Sequence, residues 1–157
     1  MLNMAFKEKS IWLSLITTVL IFSYYLIRLF ALLDEPEELA TSAALGLLLK
    51  MSMAIIIVEA VLQSLLAASN RKVANLGADE RDRLFAYKAN NLGYAVLVIG
   101  VMFTLGQMLI LEFNPQLINH DAVLTIPLLT THILLFSFIL SEIARFSAQL
   151  YYYRSCH

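Results

Sequence analysis

The chain has 157 residues, of which 60% are hydrophobic and only 15% charged, and its formal net charge is −1. A soluble domain carries roughly 45–50% apolar and about 25% charged residues, so this excess is too large for one buried core. The near-zero charge speaks against a nucleic-acid partner, which calls for a strong basic excess. The single cysteine, Cys156, rules out an intramolecular disulfide and fits no zinc spacing.

The apolar residues are gathered into four runs, at about 11–33, 43–66, 92–111 and 123–148. About 20 apolar residues in a helix rising 1.5 Å each cross a hydrocarbon layer of ~30 Å. None of the runs alternates polar and apolar as a barrel strand does. The expected fold is therefore all-α: one transmembrane domain over 1–157, a four-helix bundle of two helical hairpins, with the bilayer as its first partner. A homo-oligomer, a dimer foremost, is expected too, because four spans give little interior in which to cover polar groups.

The first run follows Lys7 and Lys9. It is longer than the ~7–15 residues of a signal-peptide core and closes without a small-residue cleavage site, so it is expected to stay as an anchor. Lys and Arg cluster before it, in the central loop (Arg71, Lys72, Arg81, Arg83 and Lys88) and in the tail (Arg154), while the stretches Asp34–Ser42 and Glu112–Ala122 hold none. By the positive-inside rule both termini and the central loop are cytoplasmic. Trp12, Tyr87, Tyr94 and Tyr151–Tyr153 fall at the same interface, where amphipathic rings collect.

Between the first two runs, Pro36 is suited to open a helix, with Glu37 and Glu38 at the positive end of its dipole. In the central loop, 67–91, Gly77 breaks the chain and Asp79 stands as an N-cap for ERDRLFAYKANNLGY, a helix expected to run unbroken into the third span. Asp79 and Glu80 lie at i+4 and i+3 spacing from Arg83 and are expected to pair with it. With Arg81, Asp82 and Lys88 these residues make a charged helix on which a cytoplasmic protein partner would dock.

The segment ADERDRLFAYKANNLGY, through Asp79, Glu80, Arg81, Asp82, Lys88, Ala89, Gly93 and Tyr94, resembles a family of four-span bacterial membrane proteins with a D-E-R-[DE] stretch before a K-A…G-Y opening of the third helix. The resemblance implies a bacterial inner-membrane location and no activity. Marker spacings also recur: Lys9 to Arg28 matches Lys88 to Gln107, and Glu59 to Arg71 matches Glu142 to Arg154. Such a recurrence would make the two hairpins a parallel repeat about an axis along the membrane normal.

Polar residues inside the spans each need a partner or a reason, since a mid-bilayer charge costs roughly 2.5–3.5 kcal/mol on insertion scales. They fall at two levels. The inner level holds Glu59 and Gln63 in the second span and Glu142, Arg145 and Gln149 in the fourth. Both carboxylates lie about seven residues, or ~10 Å, above the inner ends of their spans. One arrangement puts Arg145 between Glu142 and Glu59, in the bundle or at a dimer seam, with the second carboxyl holding a proton. The other is a local Glu142–Arg145 pair with Arg145 reaching for the headgroups. Gly93, Gly100 and Gln107 recur at heptad spacing on the third span and would let a neighbouring backbone approach closely.

The outer level holds Arg28, Lys50, Gln107, Glu112 and His132. Lys50 is expected to reach for the outer surface, and Arg28 for Asp34, Glu35 or Glu112. His132 is the one histidine within a span, so bis-histidine haem ligation would need a second copy of the chain; no cofactor and no metal is expected. The sequence has no G-x-S-x-G, no H-E-x-x-H, no paired cysteines and no glycine-rich phosphate loop. No enzyme is therefore expected. The expected function is a non-enzymatic interaction or signalling component; the alternative is a small oligomeric transporter or channel subunit that uses its intramembrane carboxylates for proton or cation coupling.

Overall fold

The computed structural model describes residues 6–34, 37–69, 79–116 and 126–155. Four long helices make up the bundle: α1, Phe6–Ala31, closed by a 3-10 turn at Leu32–Asp34; α2, Glu37–Ser69; α3, Glu80–Phe113; and α4, Leu129–Ser155. All four are long and apolar enough to cross a membrane. The central-loop residues 70–78, including Arg71, Lys72 and Gly77, lie outside the described residues, as do Glu35, Pro36 and the stretch from 117 to 125.

Asp79 is the N-cap of α3, as its place in the sequence indicates. Its carboxylate accepts from the Glu80 N–H at 2.7 Å, and Asp82 in turn accepts from the Asp79 N–H at 3.3 Å. This reciprocal cap satisfies donors that the first turn of a helix leaves open. The 34 residues of α3 measure about 51 Å, well beyond a hydrocarbon layer of ~30 Å, so its first turns stand clear of the hydrocarbon. Arg83 forms no ion pair with Asp79 or Glu80; its backbone N–H goes to the Asp79 carbonyl at 3.0 Å. The fourth helix starts at Leu129, later than the apolar run foretold. Pro127 lies in the turn before it and Leu128 takes a left-handed backbone, φ 59°.

Backbones approach closely between α3 and α4, α4 and α1, and α1 and α2. The order across the bundle is therefore α2, α1, α4, α3, with α1 and α4 central. An axis along the membrane normal that superposed the two hairpins would carry the α1–α4 packing into an equally close α3–α2 packing. No such packing exists among the described residues, so the two hairpins are not arranged as a parallel repeat.

Two kinds of contact hold the helices. Large side chains join α1, α2 and α4 in a core of Tyr25, Leu29, Leu47, Met51 and Ile139. Small residues join α3 to α4. A Cβ on Gly93 would meet Arg145 Cβ at 3.0 Å and the Ser141 carbonyl at 3.1 Å, and one on Gly100 would overlap the side chain of Ser137. Ser141 Oγ donates to the Gly93 carbonyl at 2.8 Å, and Thr130 Oγ1 to Gln107 Oε1 at 3.4 Å, so the heptad row Gly93, Gly100, Gln107 faces α4 along its length. Leucine, isoleucine and phenylalanine side chains remain exposed on all four helices, as surfaces in contact with lipid tails require.

The end of the bundle that carries both termini is tied by polar contacts. Lys7 Nζ and Tyr153 Oη both donate to Asp82, at 2.6 and 2.5 Å. Arg154 pairs with Glu8 at 3.6 Å and lies over the Trp12 ring. Phe85 packs between Tyr152 and Tyr153.

Candidate functional site

Ser10 and Ser14 are one helical turn apart on α1, and Glu59 and Gln63 are one turn apart on α2. The helices run antiparallel, so the two pairs meet as rungs. Ser14 Oγ donates to Glu59 at 2.5 Å, and Ser10 Oγ donates to Gln63 Oε1 at 2.7 Å. The Gln63 amide closes the ladder by donating to Ser14 Oγ at 2.7 Å and to Glu59 at 3.1 Å. Every donor that Glu59 receives is neutral. Its carboxylate is solvated by a hydroxyl and an amide, and no cation compensates it among the described residues.

Above the ladder the backbones of α2 and α4 stay apart, and a cavity of about 350 Å³ opens between them with α1 as its floor. Glu59, Gln63, Glu142 and Arg145 all line it, together with Thr17 and Thr18 of α1 and a majority of aliphatic and aromatic side chains. The rim residues Ile56 of α2 and Phe138 of α4 are 65% and 45% exposed, so the mouth lies on the seam between those helices.

The shared guanidinium does not form. Arg145 pairs with Glu142, its i,i+3 neighbour, and its guanidinium stacks on Phe146 with Cζ 4.3 Å from the ring centroid. Both partners are on α4 itself, and Glu59 receives its hydrogen bonds from Ser14 and Gln63 instead. The inner-level residues thus share one cavity, but as an ion pair on one wall and a lone carboxylate on the other. Gln149 is half-buried and lies outside the cavity.

Outer-level residues separate into three places. Arg28 and Lys50, both exposed, line a second cavity of about 440 Å³ between α1 and α2, where Arg28 sits over the Tyr24 ring at 5.9 Å. The Asp34 and Glu35 side chains to which Arg28 was expected to reach lie outside the described residues, and Glu112 is exposed in the last turn of α3. His132 is fully buried beside the equally buried Tyr25. The Tyr25 hydroxyl and His132 Nδ1 share a hydrogen bond whose direction follows the histidine tautomer, and Nε2 is buried with no partner among the described residues. Enclosed in this way, His132 cannot meet a second copy of itself across a dimer seam. Among the described residues no group of three His, Cys, Asp or Glu side chains could hold a metal ion.

Of the charged residues that open α3, Asp79 and Asp82 serve the cap and the Lys7–Tyr153 tie, while Arg81 and Lys88 lie over the rings of Phe85 and Tyr152. Burial works to raise the Asp82 carboxyl, but the hydrogen bonds from Lys7 and Tyr153 and the Lys7 charge outweigh it and hold the group below the usual aspartate range. Glu80, Arg83, Leu84 and Tyr87 remain exposed on the opposite face.

The partners that the sequence left unremarked are Ser10, Ser14 and Tyr25. The only trace of the serines is their i,i+4 spacing, and Tyr25 is one of a Tyr–Tyr pair of which the other, Tyr24, faces outward. The chain matches no protein-family model, no curated protein and no solved structure.

Proposed function

We propose that this is a non-enzymatic, multi-pass membrane protein that acts as a small transporter or channel subunit, with Glu59 as the group that takes up a proton or another cation. The supporting observation is a carboxylate placed on a cavity wall with only neutral donors. In a medium of low dielectric such a charge attracts a cation or a proton, because two neutral hydrogen bonds offset only part of the cost of its ionised form. The Ser10–Gln63–Ser14–Glu59 ladder gives that carboxylate a hydrogen-bonded connection toward the end where the termini lie. A bacterial inner-membrane location with both termini cytoplasmic goes with this reading, on the strength of the Lys and Arg distribution, and so does a dimer, since four spans leave little interior to cover polar groups.

Proteoliposomes carrying a pH-sensitive dye test this. Under an imposed potassium diffusion potential, wild-type vesicles should pass protons faster than empty ones, and Glu59→Gln should return the flux to background. Wild-type flux in Glu59→Gln, or no flux in the wild type, overturns the proposal. Cys156, the single cysteine, reports the orientation: an impermeant maleimide added to spheroplasts should leave it unlabelled until the membrane is opened.

A second reading, an interaction or signalling component, is favoured by the first turns of α3. One face of that helix is fixed by Lys7 and Tyr153, and the other presents Glu80, Arg83, Leu84 and Tyr87 to a cytoplasmic partner. Charge reversal at Glu80 and Arg83 that disturbs the physiological role and leaves proton flux intact would favour this reading over the first.

A further inference from the structure

We infer that the α1–α2–α4 cavity takes an amphiphilic organic cation, such as a quaternary ammonium or phosphonium with an aryl or alkyl body, admitted sideways from the bilayer along the seam between α2 and α4. This rests on the proposed role of Glu59 and adds the class of its ligand.

Three features narrow the class. First, the charges on the cavity wall sum to one negative: two carboxylates, Glu59 and Glu142, against Arg145. Arg145 is committed to Glu142 and to the face of Phe146, so the unmatched charge is on Glu59. An anion would meet two carboxylates, and a neutral ligand would leave Glu59 as it is.

Second, the walls are mainly apolar. A hard cation such as calcium takes about six to eight oxygen ligands, and among the described residues no three His, Cys, Asp or Glu side chains come together to hold a metal ion. The cavity instead offers one carboxylate not paired with Arg145, Glu59, beside Ile21, Ile55, Ile139 and Phe138. A proton alone needs no such volume, whereas about 350 Å³ is in the range of small-molecule sites. A ligand with a diffuse positive charge inside an apolar shell matches both the charge and the walls, and the half-exposed ring of Phe138 offers it a cation–π contact at the mouth.

Third, the mouth lies between two helices whose outer faces are apolar along the spans, with Ile56 and Phe138 as its posts. A ligand that partitions into the bilayer reaches the cavity without crossing water.

The test is binding of tetraphenylphosphonium to the full-length protein in nanodiscs, with tetraphenylborate as the anion of the same shape. The phosphonium should bind the wild type at least about tenfold more tightly than the borate, a difference of one decade in Kd, and Glu59→Gln should remove most of that preference. Ile56→Trp fills the mouth from an exposed position, without disturbing the ladder, and should weaken phosphonium binding severalfold. Equal binding of the two ions, or phosphonium binding that survives both substitutions unchanged, overturns the ligand class. Proton flux that depends on Glu59 without phosphonium binding would reject the ligand and leave the coupling role of Glu59 standing. Loss of both would reject both.

Discussion

Ser14 of α1 and Glu59 of α2 face one another across the antiparallel α1–α2 contact, with the serine hydroxyl donating to the carboxylate at 2.5 Å. A serine on an apolar span can equally turn its hydroxyl back to its own helix, as Ser23 does to the Val19 carbonyl at 2.8 Å. Ser14 is instead almost fully buried and spends its hydrogen bond between helices. Interhelical hydrogen bonds in membranes contribute about 0.6 kcal/mol on average and up to ~1.7 kcal/mol. Ser14→Ala is therefore expected to lower thermal stability in detergent by roughly 1 kcal/mol. Glu59→Gln, which still accepts from Ser14, should cost less. A stability in Ser14→Ala equal to wild type would mean that the ladder does not join α1 to α2.

The glycines of α3 are not equivalent. Gly100 lies where any Cβ would overlap Ser137, whereas Gly106 faces open space. Overpacking a tight contact costs typically ~1–3 kcal/mol. Gly100→Ala should destabilise the bundle by that amount. Gly106→Ala should be neutral or stabilising by up to ~1 kcal/mol, because alanine is the better helix former. Thermal melts of the two variants side by side give the answer, and equal melting temperatures would contradict the close α3–α4 approach.

The contrast between those glycines also marks how far the sequence reaches. Four spans, the Asp79 cap and the heptad row Gly93–Gly100–Gln107 were all legible, because each is a property of a single helix or of distance along it. Which helix packs on which is not such a property. The order α2, α1, α4, α3 is decided by faces of similar apolarity, and it is this order that separates Glu59 from Arg145 and hands it to Ser14 and Gln63. The same applies to Tyr25. Nothing in its own helix distinguishes it from Tyr24, and its role follows from His132 on α4, 107 positions away.

Tyr25 and His132 form a buried polar pair inside an aromatic and aliphatic core, with Phe136 against the Tyr25 ring. A buried group deprived of its partner carries its desolvation penalty, about 1–3 kcal/mol. Tyr25→Phe should therefore destabilise by about that much, since it leaves both ring nitrogens of His132 unpaired. Adding His132→Leu should recover part of the loss, because the second change removes the orphaned group. A double-mutant cycle from thermal or denaturant unfolding measures the coupling. Strictly additive losses would show that the two side chains do not depend on one another.

At the opposite end, Asp82 ties α3 to α1 through Lys7 and to α4 through Tyr153, outside the hydrocarbon. Its carboxyl is held below the usual range in the folded chain, whereas in the unfolded chain it titrates near an ordinary aspartate value of about 3.9. The sign follows from linkage. A depressed folded pKa stabilises fully above the unfolded value and loses that contribution as the pH falls through the folded one. Wild-type stability should therefore be flat from neutral pH down to about pH 5 and decline below about pH 4. Asp82→Asn should start lower and lack this part of the acid decline. Lys7 and Asp82 keep 36% and 22% of their side-chain surface exposed, so solvent screens the pair and the difference at neutral pH should stay within about 1 kcal/mol. An acid limb of the same depth in Asp82→Asn would mean that some other carboxylate fastens this end of the bundle.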